Sequence, residues 1–345
     1  MNHMPARKQA HSVLRHQQGA ALLMAMVIVT LVATLASSMV WQQWRAVQVE
    51  SAERIRSQAS WVLSGALDWA RLILREDARK QGGIDDLGEP WAIPLAEARL
   101  STFLAADSNN NAADEDTPEA FLSGKVEDAS AKYNLRNLLD SDGEIVPKEV
   151  AVLKRLCESV SLSPSLADAI AKGLRQATLA LQASDPVVLA KLGGEAGRAK
   201  APLMPQTFDQ ILWWGLDGVT MEKMRPYVTF LPDQTKVNVN TASKEVISAV
   251  VDGMNLSSAG RLVQARQRKP FKSNDDLTAV LGQNMGNPDR LLFGSDFFEV
   301  RGRLRFEDNI IEQRHLLQRV GNDVLIRHQS RFSGLDRAAD TGARP

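Results

Sequence analysis

The sequence contains almost no cysteine and carries no net charge. Its one cysteine, Cys157, excludes a disulfide within the chain and a cysteine-rich zinc site. Lysine plus arginine and aspartate plus glutamate each total 41, so there is no overall electrostatic attraction to nucleic acid. The sequence also lacks a nucleophile elbow, a Walker loop and a dinucleotide fingerprint, and its histidines lack metal-ligand spacing. We therefore predict that the chain is not an enzyme.

Charge is also missing from a long stretch near the N-terminus. No lysine, arginine, aspartate or glutamate lies between Arg15 and Arg45, and the apolar run at 20–44 is long enough to span a membrane. Arg7 and Lys8 lie before this run, so the positive-inside rule leaves the N-terminus in the cytoplasm. The sequence predicts a single-pass membrane protein whose C-terminal body lies outside the cytoplasm.

Three interpretations of this run are open: a signal peptide cleaved after Ala36, an uncleaved anchor, or a prepilin-type leader that ends at Gly19. There is no proline from Ala20 to Arg79, so the run can continue into a second helical segment. That segment has an apolar stripe at steps of four and three residues, formed by Ile55, Ala59, Val62, Ala66, Trp69 and Ile73. The two segments predict one helix of about 60 residues, which favours the prepilin-type leader.

The order "QQG", "AALLMAMVIVTLVATLA" and then an amphipathic half resembles type IV pilins and the pseudopilins of type II secretion. By that resemblance a prepilin peptidase cleaves between Gly19 and Ala20, and the new N-terminal Ala20 is methylated. The fifth mature residue in those families is normally glutamate, whereas this sequence has Met24. A carboxylate without a partner is costly inside a bilayer, so Met24 suits the first subunit of a filament, which has no neighbour above it.

Three segments downstream narrow the resemblance: "PWAIPL", "FLSGKVEDASAKYNLRNLL" and "LPDQTKVNVNTASKEVISAVV" resemble K-type minor pseudopilins of type II secretion systems. The resemblance implies an α+β fold, with a pilin-like long N-terminal helix packed on an antiparallel sheet and a large all-α insertion domain. The predicted divisions are a leader at 1–19, a transmembrane helix at 20–44, a pseudopilin-like body at 45–135 and 293–332, the helical insertion at 136–292 and a flexible tail at 333–345.

Periodicity supports this division. "FFEVRGRLRF" alternates apolar and charged residues as in a half-buried strand, and Gly321 with Asn322 fits a two-residue hairpin turn. "PKEVAVLKRLCESV", "SPSLADAIAKGLRQATLALQ" and "TFDQILWWGL" predict helices within the insertion.

The family resemblance also implies a role and a set of partners. The chain would lie in the inner membrane with its body in the periplasm, at the tip of the pseudopilus, together with I-type and J-type minor pseudopilins. There it would help to initiate assembly and control filament length for the export of folded proteins. The other expected partners are the major pseudopilin, the inner-membrane assembly platform and the prepilin peptidase.

The alternative function is DNA uptake. The stretch from "VNVNTAS" to "KSNDDL" is similar to helix-hairpin-helix repeats, which hold a phosphate on backbone amides, and nearby basic side chains are candidates for phosphate contacts. These are Arg261, Arg266, Arg268 and Lys269. However, Gly253 and Gly260 are too far apart for one tight amide cradle, so packing of a helical pair is the preferred interpretation.

One short acidic segment raises the question of a metal. Asp140, Asp142 and Glu144 flank a glycine in "DSDGE", partly as in a calcium loop, but the full EF-hand spacing is missing. Some K-type pseudopilins bind calcium in the insertion, yet the acidic ligands typical of them are largely absent from "KGLRQATLALQASDP". We expect no cofactor, with calcium at these three residues as the alternative.

Overall fold

The computed structural model describes residues 18–80, 83–100, 120–282, 288–306 and 309–335. The chain divides into two compact units, 1–61 and 62–345. In chain order the helices and strands are α1 (Gln18–Lys80), β1 (Leu95–Arg99), β2 (Ala120–Asp128), β3 (Tyr133–Asn134), α2 (Pro147–Ser159), α3 (Ser165–Leu181), α4 (Pro186–Lys191), α5 (Gly194–Lys200), α6 (Gly218–Met224), β4 (Val228–Thr229), β5 (Val237–Asn238), α7 (Lys244–Val250), α8 (Leu256–Arg266), α9 (Asn274–Leu281), β6 (Leu291–Leu292), β7 (Phe297–Phe306), β8 (Asn309–Val320) and β9 (Asp323–Leu335).

Helix α1 begins in the first unit and continues into the second without a break, as its lack of proline predicts. Residues 20–54 of α1 are exposed. The Gly- and Pro-rich stretch that follows ends the helix at Lys80, and Pro90 then opens a short 3-10 helix.

The body of the second unit is built on an antiparallel sheet with the strand order β1-β2-β7-β8-β9. Residues from α1 and from the sheet form one apolar core that includes Leu67, Leu74, Phe298 and Leu317. Gly302 of β7 permits a close approach between these layers, because a Cβ atom there would lie 3.0 Å from Leu63 Cδ2. This arrangement is the predicted helix on an antiparallel sheet.

Apolar and charged residues alternate along β7 as predicted. Phe298, Val300 and Leu304 are buried on the face toward α1. Phe297, on the opposite face, is also buried, because Ala129 and Leu231 cover that end of the strand. This second covering is a tertiary contact that strand periodicity does not predict.

The insertion has its own core, formed mainly by α2, α3, α7 and α8, and Cys157 is one of its buried residues. The insertion is helical as predicted, except for short parallel strand pairs, since β5 pairs with β6 and β4 pairs with β3. The segment "TFDQILWWGL" forms a 3-10 helix, Phe208–Trp214, in place of a regular α-helix.

The last hairpin fixes the C-terminal boundary of the body. Val320 pairs with Asp323 across the predicted turn, and Gly321 adopts a positive φ of 59° there. Strand β9 then continues past residue 332, because Ser333 and Gly334 pair with β8. The predicted tail at 333–345 therefore starts too early, and its residues 336–345 lie outside the described part of the chain.

Candidate functional site

The predicted processing site lies next to the first described residues. Helix α1 is described from Gln18 and includes Gly19 and Ala20, whereas residues 1–17 of the predicted leader lie outside the described residues. Met24 follows one turn later and is 66% exposed. Cleavage after Gly19 and methylation of Ala20 stay predictions.

The apolar part of α1 has the properties of a membrane segment. Within the described residues, Ala20–Arg79 is the one helix that is long and apolar enough to cross a bilayer. Three of its hydroxyl side chains are satisfied within the helix, since Thr30, Thr34 and Ser38 each donate to the carbonyl oxygen three residues earlier. Trp41 and Trp44 are exposed where the apolar run ends, as in an aromatic belt.

A buried polar network joins the sheet to the insertion. Asp128, the last residue of β2, accepts hydrogen bonds from the Asn238 amide, the Thr241 and Ser295 hydroxyls and the Ser130 backbone N–H. Burial raises the pKa of Asp128 above its ordinary value. The Asn238 side chain also donates 3.0 Å to the Asp85 carbonyl oxygen, so one asparagine connects β5 with the loop after α1.

Arg319 extends this network to helix α1. Its guanidinium donates to the Asp77 carboxylate at 3.2 Å, to the Asp85 carboxylate and to the Ser295 carbonyl oxygen at 2.7 Å. Asp77 belongs to the last turns of α1 and Arg319 to the end of β8, so a buried ion pair holds these two elements together. We call Asp85, Asp128, Asn238, Ser295 and Arg319 the polar junction.

An acidic cluster adjoins the polar junction and shares Asp85 with it. Asp77, Asp85 and Glu89 are all buried, and each has an oxygen within 4.8 Å of an oxygen of the other two. Burial and the charge of Asp85 raise the pKa of Asp77 to about 6. Burial also raises the pKa of Glu89 to about 7, although a hydrogen bond from Trp91 Nε1 works against that rise. The acidic cluster thus concentrates negative charge in a dry environment.

Two of the segments that resemble K-type pseudopilins contain buried asparagines whose side chains hold neighbouring loops through hydrogen bonds. Asn240 of "VNVNTAS" donates to the carbonyl oxygens of Phe271 and Phe293, at 3.0 and 3.1 Å, and accepts from the Phe271 N–H at 2.8 Å. Asn134 of "YNLRNLL" accepts from the Leu231 N–H and donates to the Asp233 carbonyl oxygen. These residues therefore position the insertion through backbone hydrogen bonds.

The candidate calcium loop is held by contacts within the protein. Asp140 accepts from the backbone N–H groups of Asp142 and Glu144 with the same oxygen, at 3.0 and 2.9 Å. Glu144 binds the Arg175 guanidinium at 2.9 Å and Lys191 Nζ at 3.1 Å, and these hydrogen bonds lower the pKa of Glu144 to about 2. Calcium binding by this loop remains a prediction.

The helix-hairpin-helix-like segment does not have the geometry of a phosphate cradle. Gly260 lies inside α8, so it cannot belong to the hairpin turn that contains Gly253. Arg266 is half-buried and donates to the backbone oxygens of Val239 and Ala242, at 2.7 and 2.6 Å. This guanidinium therefore stabilises the insertion and is not available to a phosphate, so the DNA-uptake alternative has no support.

Sequence patterns did not predict the acidic cluster or Arg319. Asp85 and Glu89 lie in "GGIDDLGEPW", where glycine and proline indicated only the end of a helix. One signal was present, since Arg319 occupies the same face of β8 as the buried Ile311 and Leu317. An arginine on the inward face of a strand indicates a buried acidic partner.

The sequence of this chain is similar to that of a component of type II secretion systems. Two family models described as "Type II secretion system (T2SS), protein K" match residues 131–233 and 237–290. The type II secretion system protein K of Pseudomonas aeruginosa is 27% identical to this chain over 338 residues, which cover 93% of this chain and 94% of that protein. The protein K of Pectobacterium carotovorum is 26% identical over 332 residues, with coverages of 90% and 95%.

A similar fold is known from a crystal structure. One chain in the GspK-GspI-GspJ complex of the type 2 secretion system from enterotoxigenic Escherichia coli matches with a TM-score of 0.56. The sequence identity is 16%, and the match covers 82% of this chain and 99% of that chain. This similarity shows that the two chains share a fold.

Proposed function

We propose that this chain is a minor pseudopilin of the type II secretion system protein K family and that it acts at the tip of the periplasmic pseudopilus. There it helps to initiate assembly and limits filament length during the export of folded proteins across the outer membrane. The observation that carries this proposal is helix α1, whose exposed apolar segment continues directly into the helix that packs on the sheet.

The proposed role is mechanical and needs no catalytic residue in this chain. The apolar half of α1 anchors the subunit in the inner membrane, and its sheet and insertion lie in the periplasm. Met24 supports a position at the tip, because a subunit without a neighbour above it has no terminal ammonium to neutralise in the bilayer. The helical insertion supplies the bulk that covers the end of the filament.

We also propose a set of partners. The crystal structure that shares the fold contains GspK with GspI and GspJ, which supports I-type and J-type minor pseudopilins as the neighbours of this chain. The major pseudopilin, the inner-membrane assembly platform and the prepilin peptidase are the further partners, and they follow from the family resemblance. We do not propose nucleic acid as a partner, because Arg266, one of the four candidate phosphate contacts, is engaged within the insertion.

Processing at Gly19 is tested with Gly19→Ala, and Gly65→Ala in the same helix is the matched control. A Cβ atom at Gly65 meets no atom within 4 Å, so the control keeps the structure. We expect mass spectrometry to find the mature chain starting at Ala20 in the wild type and in the control, and an unshortened chain in Gly19→Ala. Export of secreted enzymes should fail only in Gly19→Ala. An unprocessed wild-type chain would contradict the proposal.

The tip position is tested separately with Met24→Glu against Met24→Leu. The leucine keeps the residue apolar and should support normal export, whereas the glutamate places an unneutralised carboxylate in the bilayer and should reduce recovery of the complex with I-type and J-type pseudopilins. Equal recovery and export for the two variants would remove Met24 as an argument for the tip.

A further inference from the structure

The acidic cluster of Asp77, Asp85 and Glu89 has the dimensions of a cation site. Each carboxylate contributes one oxygen, and these oxygens lie within 4.8 Å of one another. Three points so spaced always share a position within about 2.8 Å of each, close to the calcium–oxygen distance of about 2.3–2.6 Å. Magnesium requires a tighter shell of about 2.0–2.1 Å. The spacing is therefore wide enough for a cation of the size of calcium.

Two atoms of the acidic cluster point independently to a missing ligand. Asp85 Oδ1 and Glu89 Oε1 are buried and accept no hydrogen bond in the described part of the chain. Asp85 is 0% exposed and Glu89 is 3% exposed, so bulk water does not reach these oxygens. A buried carboxylate oxygen without a partner is costly, and metal coordination is one of the ways in which proteins satisfy such an oxygen.

The negative charge of the acidic cluster also favours a divalent cation. Three carboxylates face one guanidinium, because the ion pairs of Asp77 and Asp85 are both made with Arg319. With all three carboxylates ionised, as a bound cation would favour, the cluster and Arg319 together carry two negative charges. The neighbouring Asp128 is not a ligand of this cation, because its oxygens already accept hydrogen bonds from four groups. One divalent cation would neutralise the group.

We propose that Asp77, Asp85 and Glu89 bind one divalent, oxygen-preferring cation of the size of calcium. Carboxylate oxygens are the ligands that such hard cations prefer. The ion would connect the last turns of α1, through Asp77, with the loop that carries Asp85 and Glu89. It would thereby strengthen the attachment of α1 to the polar junction. This site is separate from the loop of Asp140, Asp142 and Glu144.

The proposal is tested by calcium titration calorimetry on the full mature chain in detergent micelles, after treatment with a chelator. The test variant is Glu89→Gln, which keeps the size of the side chain and removes its charge. Glu144→Gln is the matched control, because Glu144 belongs to the other candidate calcium loop. We expect one site in the wild type, affinity at least about tenfold weaker in Glu89→Gln and unchanged affinity in Glu144→Gln.

A second measurement does not depend on the folding of the Glu89 variant. Trp91 Nε1 donates a hydrogen bond to Glu89, so a terbium ion in the cluster should be excited through this indole. Terbium luminescence should appear with the wild-type chain, decrease on addition of calcium and fall sharply in Trp91→Phe, while calorimetry of that variant still detects calcium.

The contradicting outcomes are distinct. The proposal is overturned if the wild-type chain binds no calcium, if Glu89→Gln binds it as tightly as the wild type, or if terbium emission is the same in Trp91→Phe. Loss of binding in Glu144→Gln with full binding in Glu89→Gln would assign calcium to the loop of Asp140, Asp142 and Glu144 and would equally overturn it.

Discussion

Replacement of Asn240 by alanine should destabilise the insertion strongly, although the residue is small. Asn240 is 1% exposed and makes three hydrogen bonds to the backbone of Phe271 and Phe293. The Phe293 carbonyl oxygen keeps a second donor, the Asp85 N–H, but the Phe271 N–H and carbonyl lose the partner that Asn240 provides. These three residues link the chain before α7, the chain before α9 and the chain after β6.

The magnitude follows from those two Phe271 groups. Each buried polar group without a partner costs about 1–3 kcal/mol, so Asn240→Ala should lower the free energy of unfolding by about 2–6 kcal/mol. For a unit of this size, that corresponds to a fall of about 3–10 °C in the melting temperature. Asn255→Ala is the matched control, because the Asn255 side chain caps α8 with an exposed hydrogen bond to the Ser258 N–H. Loss of that cap should cost about 1 kcal/mol.

Two assays separate the local effect from the global one. Thermal unfolding followed by circular dichroism measures the loss of stability in both variants. Hydrogen exchange measured by NMR reports the Phe271 amide itself, which should exchange slowly in the wild type and in Asn255→Ala and rapidly in Asn240→Ala. A Phe271 amide that stays protected in Asn240→Ala, together with a stability loss no larger than that of the control, would refute this reasoning.

Three further predictions concern other parts of the structure. Gly302→Val should lower the free energy of unfolding by about 1–3 kcal/mol in thermal unfolding, since a Cβ atom there would lie 3.0 Å from the buried Leu63 Cδ2. Gly334→Val, in the open space beside β9, should cost far less. Equal losses would contradict the close packing of α1 on the sheet. Arg266→Met should destabilise the insertion by about 1–3 kcal/mol, because the guanidinium donates to two backbone oxygens. Gel-shift assays with DNA at low salt should be negative for the wild type, for Arg266→Met and for a control variant at the exposed Arg268, Arg268→Met. A DNA shift that only Arg266→Met abolishes would restore the alternative function. The pKa of Glu144 is lowered from 4.5 to about 2 by Arg175 and Lys191, so ionised Glu144 stabilises the fold above pH 4.5 and this contribution is lost as the pH falls toward 2. The difference in unfolding free energy between the wild type and Glu144→Gln should therefore shrink over that range, and a constant difference would show that the ion pairs contribute nothing.

The features that the sequence predicted correctly all depend on local chemistry. The uncharged run and the absence of proline predicted α1, and the alternation in "FFEVRGRLRF" predicted β7. Gly321 and Asn322 predicted the last hairpin because a two-residue turn requires positive φ. The prediction of the tail at 333 failed, since the length of β9 depends on pairing with β8 and not on its own residues.

Neighbouring residues and recognisable segments were enough to predict the long apolar helix, the strand and helix periods and the family resemblance. The polar junction and the acidic cluster become visible only in the folded chain. Arg319 and Asp85 are 234 positions apart, and Asn238 and Asp128 are 110 apart, so no local pattern relates them. A buried charge acquires its partner from the fold, since the arrangement of helix, sheet and insertion fixes which polar groups meet in the absence of water.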